Sequence, residues 1–446
     1  MKQVNLLTDS PRRLFFHYLG PTIGSSMVTS IYILADTIMV GQGVGDAGLA
    51  ALTIFMPIVA SFFALGLLLG VGGGVLMSVA KGSGNESLAH KYFSTAMISA
   101  AVVSVCFAVF GAIFFDPMMY ALGADTTNIE LVRGYGLCYT VSAPLFIFSS
   151  SLQSFIRNDK SPRHAMIAVL TGSGLNILLD YLFIFVFKMG MFGASFATSI
   201  GTSITVCILI IHFFTKKNTM RFSFRFFSIK ALWEIAKCGF SSFLIECANA
   251  VLVFVFNHTL LKYIGSVGVT VYSIMSNVAV VCMSLFNGVT LAAQPIIATN
   301  HGADNHKRVL QVRHIGTITS SVIAVIIFCV GFFFPDLLIY SYVKDPTPEI
   351  LELARYALRI YFFAYLFMNF NIFFSGYFQS TLRPVAAITI QILRSLLLSS
   401  VLVSVLPMIF GADAIWYAVP ITECITFFVA MAFLFFGRFK KTKEAK

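Results

Sequence analysis

Residues 31–51 read Ile31-Tyr-Ile-Leu-Ala-Asp36-Thr-Ile-Met-Val-Gly-Gln-Gly-Val-Gly45-Asp-Ala-Gly-Leu-Ala-Ala51, an apolar stretch with one carboxyl set deep inside it. An acidic side chain at the centre of a membrane helix costs about 2.5–3.5 kcal/mol, so one that is present ordinarily faces a polar cavity and handles an ion or a proton. Whether the stretch is such a helix depends on the rest of the chain. Of its 446 residues, 58% are hydrophobic, 15% aromatic and only 11% charged, and the mean hydropathy is +0.87. Most of this length is too apolar for the surface of a soluble globule.

The apolar runs are continuous, which predicts helices; strands of a membrane barrel would alternate polar and apolar residues in segments of about ten. A span needs about 20 apolar residues. The reading is an all-α polytopic membrane protein with twelve spans, at 14–40, 48–79, 92–115, 131–156, 164–187, 190–214, 233–261, 267–299, 314–335, 353–380, 384–410 and 413–437. The first ten residues are polar and no small-residue cleavage pattern precedes the end of the first run, so the first helix is expected to be retained.

With these spans, 22 loop and terminal Lys and Arg residues fall on the face that carries both termini, against Lys188, Lys262 and Lys344 on the other. The opposite face holds Asp46, Asp116, Asp125, Glu130, Asp336, Asp345, Glu349 and Asp413. That bias places both termini in the cytoplasm and makes the net charge of +11 a topology signal, with no nucleic-acid partner implied. The short loops fit a bacterial inner membrane. The eight cysteines show no paired spacing and read as packing residues. Gly70-Val71-Gly72-Gly73-Gly74 lacks the context of a nucleotide loop and reads as close helix packing.

The chain is internally duplicated. A shift of 220 residues superposes Gly45 on Gly265, Gly48 on Gly268, Gly82 on Gly302 and Asn85 on Asn305. A shift of 221 or 222 continues the match through Pro162 with Pro384 and Gly190 with Gly411. The expected units are an amino lobe at 1–214, a basic cytoplasmic linker at 215–232, a carboxy lobe at 233–437 and a basic tail at 438–446. Six spans per copy give two halves of the same orientation, a parallel repeat of the kind secondary transporters use to rock one bundle against the other.

The intramembrane acids break the repeat. Asp36 corresponds to Phe256, Asp180 to about Leu402 and Glu246 to Ser26, so each charge belongs to one half only. Asn176 and Asp180 stand one turn apart on a face that Asp36 can meet, with Thr198 and Tyr135 as further hydroxyls. A cluster of oxygens suits a hard cation, and paired carboxylates raise each other's proton affinity, so the same group suits Na+ or H+. The alternative is that these groups hydrogen-bond one another to fasten helices. Glu246, with Asn249 nearly one turn on and Asn277 in the next span, suits a cationic substrate; its alternative is a structural partner in Arg394 or Lys237. Glu423 is matched to Arg394. Met and Phe, 17 and 47 in number, offer an adaptable wall to varied apolar cations, although most must face lipid.

Together, Ala35-Asp36-Thr37-Ile38-Met39-Val40-Gly41 with Gly45 and Leu49-Ala50-Ala51, the Gly82–Ala89 loop, Asn176 to Asp180, Gly193-Ala194, Ala197-Thr198, Glu246, Gln294-Pro295, Asn300-His301-Gly302-Ala303 and Arg383-Pro384 resemble a multidrug and toxic compound extrusion (MATE) transporter. The resemblance implies two six-helix lobes in a V and export of organic cations, drugs or dyes, in exchange for Na+ or H+. It implies that Asp36, Asn176, Asp180 and Thr198, joined by Tyr135, hold the coupling cation, with Asp36 and Asp180 as the Na+ ligands if Na+ is used. It implies no cofactor beyond that ion, and a single chain in a lipid bilayer is expected to suffice. Members that couple through the carboxy lobe have an acid in helix ten; here Phe367-Met368-Asn369-Phe370-Asn371 has none, which leaves Glu246 as a substrate counter-ion. The rival reading, a flippase for a lipid-linked precursor of the same superfamily, calls for several cationic cavity residues, and only Arg394 is clearly intramembrane. No nucleophile–base pair or metal cluster is visible in the spans, so an enzyme is not expected.

Overall fold

The computed structural model describes residues 4–343 and 345–444, without the side chains of Ala250 and residues 437–444. From the charge count, Lys2, Lys344 and Lys446 therefore lie outside the described residues, as do the side chains of Arg438, Lys440, Lys441 and Lys443. Among the described residues the regular structure is entirely helical. Helices follow from the composition, because a chain in hydrocarbon must satisfy its backbone N–H and C=O groups internally.

Ten helices are long and apolar enough to cross a membrane: Pro11–Gly43, Asp46–Gly82, Glu86–Ile113, Pro162–Val186, Gly190–Phe214, Ile229–Tyr263, Ser266–Gly302, His306–Phe333, Pro384–Phe410 and Ala412–Phe436. Two more spans, the fourth and the tenth in chain order, are bent pairs: Ile129–Val141 with Ala143–Asn158, at 52°, and Pro348–Phe362 with Tyr365–Ser380, at 45°. Pro144 accounts for the first bend. The second falls at the equivalent point of the repeat without a proline, so the bend belongs to the architecture.

The repeat is visible in backbone detail. Gly45 and Gly265 join the first two spans of each half at φ of 86° and 87°, a conformation that a Cβ opposes. Arg133 grips Asp116 with Nε and Nη2 at 3.2 and 2.5 Å, and Arg355 grips Asp336 with the same atoms at 2.6 and 2.8 Å. These two pairs, related by the repeat shift, sit at the acidic end of the bundle. With Arg359 beside the second pair, they raise the basic count there from three to six, because the sequence count had assigned all three arginines to the interior of spans.

The halves exchange their beginnings. Leu14, Phe15 and Tyr18 of the first span are buried in a core with Val289, Ile296 and Phe374 of the second half. Reciprocally, Ala231, Ile235 and Cys238 of the seventh span are buried among residues of the first half. The preceding segments dock the same way: Asn300 Nδ2 and Arg308 Nη2 donate to the Leu6 carbonyl at 3.0 and 3.2 Å, while the linker binds the third span through Ser223 N to Ser94 Oγ (3.1 Å) and Thr95 Oγ1 to the Phe226 carbonyl (3.3 Å).

The linker is also held by Asp159, which is fully buried and accepts from Lys81 Nζ (2.6 Å), His212 Nε2 (2.9 Å), the Thr219 N–H (3.0 Å) and the Thr219 hydroxyl. Burial alone would push the Asp159 carboxyl up; the His212, Lys81 and Thr219 contacts outweigh it and hold the group below the usual carboxylate range. A carboxyl lowered in the folded state stabilises above its unfolded value, and the gain is lost as pH falls through the folded value. Asp159→Asn is expected to cost about 3 kcal/mol by stranding Lys81. Thermal unfolding in detergent should show this loss at pH 7 and a smaller one under acid conditions below the carboxylate range; equal melting at pH 7 would contradict it.

At the same end the backbones of the two halves touch. A Cβ on Gly82 would stand 2.0 Å from the Thr299 carbonyl oxygen, and one on Gly302 would stand 2.0 Å from that of Val79. The two contacts are images of each other under the 220-residue shift, and only glycine allows them.

Candidate transport cavity and ion site

Between the halves lies a cavity of about 420 Å³. Its aromatic side is formed by Tyr32, Phe63 and Phe146, and Met283 is its only methionine among the described residues. The rest is dominated by Ser, Thr, Asn and Gln side chains of both halves. The methionine- and phenylalanine-rich wall expected from composition is thus mostly elsewhere: Phe110, Phe254, Phe333 and Phe410 are exposed on the bundle surface, where lipid tails are their solvent.

Behind one side of the cavity the structure gathers four of the five candidate ion ligands. Asp36 and Asp180 are buried, at 8% and 0% exposure, and their carboxyls are within side-chain hydrogen-bond reach of each other. Asn176, one turn before Asp180 on the same helix, donates from Nδ2 to Thr198 Oγ1 at 3.2 Å. Thr198 in turn donates to the Ala194 carbonyl at 3.0 Å. Tyr135, the fifth, is buried and lies near enough to Asp36 and Asp180 to feel their charge, packed edge-on to Phe55 and stacked with Tyr139. Asp180 ends the regular part of its helix, and the following turn, Tyr181–Val186, widens to i→i+5 bonding, a distortion often found at functional sites.

The chemistry of this cluster lies in what it lacks. Asp36 Oδ1, Asn176 Oδ1 and both Asp180 oxygens are buried without a donor. No Lys, Arg or His forms an ion pair with either acid among the described residues. Two carboxyls can hydrogen-bond only if one carries a proton. Four inward oxygens without donors equally fit a small hard cation. Asn176 and Thr198 line the cavity, so the acids have a polar neighbour on its wall.

Glu246 and Asn249 also line the cavity, whereas Asn277 does not and is half-buried elsewhere on its helix. Glu246 makes no ion pair among the described residues. Its two structural partners are otherwise engaged: Lys237 lies over the Trp233 ring at 5.1 Å, and Arg394 binds Glu423 through Nη2 and Nε at 2.8 and 3.0 Å. Asn371 Nδ2 completes that group on Glu423 Oε2 at 2.7 Å. Glu423 is therefore neutralised within the protein, whereas Glu246 and the Asp36–Asp180 pair have no ion-pair partner among the described residues.

Among the cavity residues that the sequence reading does not single out, two bear on the chemistry. Tyr32 lies one turn before Asp36, and that spacing was the available signal. Arg157 was counted with the basic loop because Arg157-Asn158-Asp159-Lys160 reads as a polar turn; it is instead 7% exposed and lines the cavity.

Twelve spans in two like halves around a polar cavity, with an acid pair beside it, define a membrane transporter rather than an enzyme. The comparisons with known proteins make the class specific. The MatE family model matches residues 21–182 and 238–405, and the chain belongs to that family. It is similar to the multidrug export protein MepA of Staphylococcus haemolyticus (strain JCSC1435), 26% identical over 97% of this chain and 95% of the relative. The MepA of Staphylococcus aureus (strain MRSA252) is 24% identical over the same shares. In fold it matches a MATE transporter solved in complex with MaL6, with a TM-score of 0.91, 22% identity and 99% of both chains covered. It matches equally an outward-facing multidrug resistance MATE family transporter, TM-score 0.91 and 22% identity, over 99% of this chain and 98% of the other.

Proposed function

We propose that this protein is a secondary active multidrug efflux antiporter that exports small organic cations in exchange for Na+ or H+ by alternating access. The observation that carries the reading is the Asp36–Asp180 carboxyl pair, buried without a basic partner among the described residues, beside a cavity shared by both halves. An uncompensated acid pair is costly to keep empty, so it draws a proton or Na+ from whichever side is open to it. Loading and unloading that ion biases the rocking of the amino lobe (1–214) against the carboxy lobe (233–437), with 215–232 as cytoplasmic linker and 438–446 as cytoplasmic tail. The basic end, with both termini, faces the cytoplasm of a cell-membrane protein acting as a single chain. The names of the MepA relatives support the substrate class, and Glu246, unpaired in the cavity wall, supplies the counter-charge for a cation.

The test is ethidium efflux from proteoliposomes with an imposed Na+ gradient, an imposed H+ gradient, or neither. Export should require one of the two gradients. Gradient-independent efflux, or lipid movement without dye export, would point to the flippase reading instead. Glu246→Gln is expected to weaken ethidium binding about tenfold, in line with losing one charge-assisted contact, and to leave an uncharged dye within twofold. Equal affinities for both dyes in wild type and variant would return Glu246 to a packing role.

A further inference from the structure

Arg157 carries a charge that packing does not require. The repeat maps it onto Gln379, and that neutral amide fastens the second half unaided: its Nε2 donates to the Cys238 carbonyl (2.8 Å), Ser242 Oγ (3.1 Å) and Ser241 Oγ (3.2 Å). Arg157, by contrast, has one hydrogen bond among the described residues, from Nη2 to Ser154 Oγ at 3.0 Å. Among the described residues no carboxylate stands within 4.0 Å of it. A guanidinium with five donors that is 93% shielded yet nearly unbonded is an expensive residue to keep unless something anionic comes to it.

The same asymmetry holds for Glu246, whose repeat partner is Ser26, also a cavity residue. Each half thus contributes one charge where the other has a neutral polar group, and the two charges are opposite. They do not neutralise each other, since no ion pair joins them, and Arg394 is already consumed by Glu423. The cavity therefore presents one acceptor for a cation and one for an anion, among hydroxyls and amides that suit a polar scaffold.

We propose that the cavity selects substrates carrying a carboxylate together with a cationic group, Arg157 receiving the carboxylate and Glu246 the cation. This rests on the export reading above for its transport consequence but not for its binding consequence. A guanidinium meets a carboxylate with two parallel N–H···O bonds, a geometry that an ammonium matches less well and an amide cannot supply with charge.

Rhodamine B and its ethyl ester differ only in that carboxyl, and both are fluorescent. Binding of each to the purified, detergent-solubilised full chain, followed by anisotropy, isolates the role of Arg157. Arg157→Gln, which installs the residue of the repeat partner, should weaken rhodamine B about tenfold and the ester less than twofold; Arg157→Lys should fall between wild type and Arg157→Gln for rhodamine B. Equal losses for both dyes, no loss for either, or a wild-type protein that binds the ester at least tenfold better than rhodamine B would each overturn the proposal. Failure of the wild type to export the ester under either gradient would fall on the antiporter reading and leave the binding comparison standing.

Discussion

Asparagine at position 36 or 180 is expected to abolish gradient-driven export of ethidium, reducing it to the level of protein-free vesicles, while the protein still folds. Among the described residues Asp36 and Asp180 have no basic side chain to balance them, and Asp36 Oδ1 and both Asp180 oxygens have no donor. Replacing one carboxylate by an amide keeps the volume and removes the charge that attracts the ion. It also supplies a donor to the surviving carboxylate, so a structural role would be maintained or improved. Melting temperature should therefore hold or rise as transport is lost, an opposition that a purely fastening role for these residues does not produce. Either variant retaining full export would remove the amino-half coupling site.

The second large effect is steric. Valine at Gly82 or Gly302 should eliminate export and open the basic end of the bundle. At either position the first side-chain carbon would lie 2.0 Å from a carbonyl oxygen of the opposite half, and backbone cannot yield as a flexible side chain can. The halves must separate by more than an ångström at this crossing. A cysteine at Ser242, a buried cavity residue, reports this in a chain whose native cysteines have been replaced. A membrane-impermeant thiol reagent applied from the basic side should label it readily in the valine variant and at least tenfold more slowly with glycine present. Unchanged labelling and transport would mean that the crossing is not the seal.

Much of this molecule is legible in its sequence because the bilayer simplifies the problem. Continuous apolar runs fix the spans, and the 220-residue repeat fixes their grouping. Where only one half holds an acid, the repeat itself marks Asp36, Asp180 and Glu246 as departures from architecture. What the sequence withholds is mainly direction around each helix axis. Lipid and packed neighbours are both apolar, so a membrane helix lacks the polar face that orients a soluble one. Asn277, which the spacing suggests for the cavity, lies away from it, whereas Asn287 lines it; ten residues apart on one helix, they project about 80° from each other. Arg157 was lost for a different reason. A basic residue beside Asn, Asp and Lys looks like loop, and nothing local distinguishes a helix that carries its last charged turn inward. The bend of the tenth span has no proline to announce it in the sequence.

The reciprocal seating of the two halves has a historical implication. Leu14, Phe15 and Tyr18 lie in the second half's core, and Ala231, Ile235 and Cys238 in the first half's, as mirror statements of one contact. A relation of this form is what an isologous dimer makes, the same patch on each subunit answering itself across a two-fold axis. A six-helix ancestor that paired with its own copy would have exchanged its leading turns in this manner. Fusion of the two copies would then have raised the effective concentration of the partner without requiring a new surface. Once the copies were joined, selection could treat them separately, which is how one half came to hold an acid pair and the other an acid already balanced by arginine.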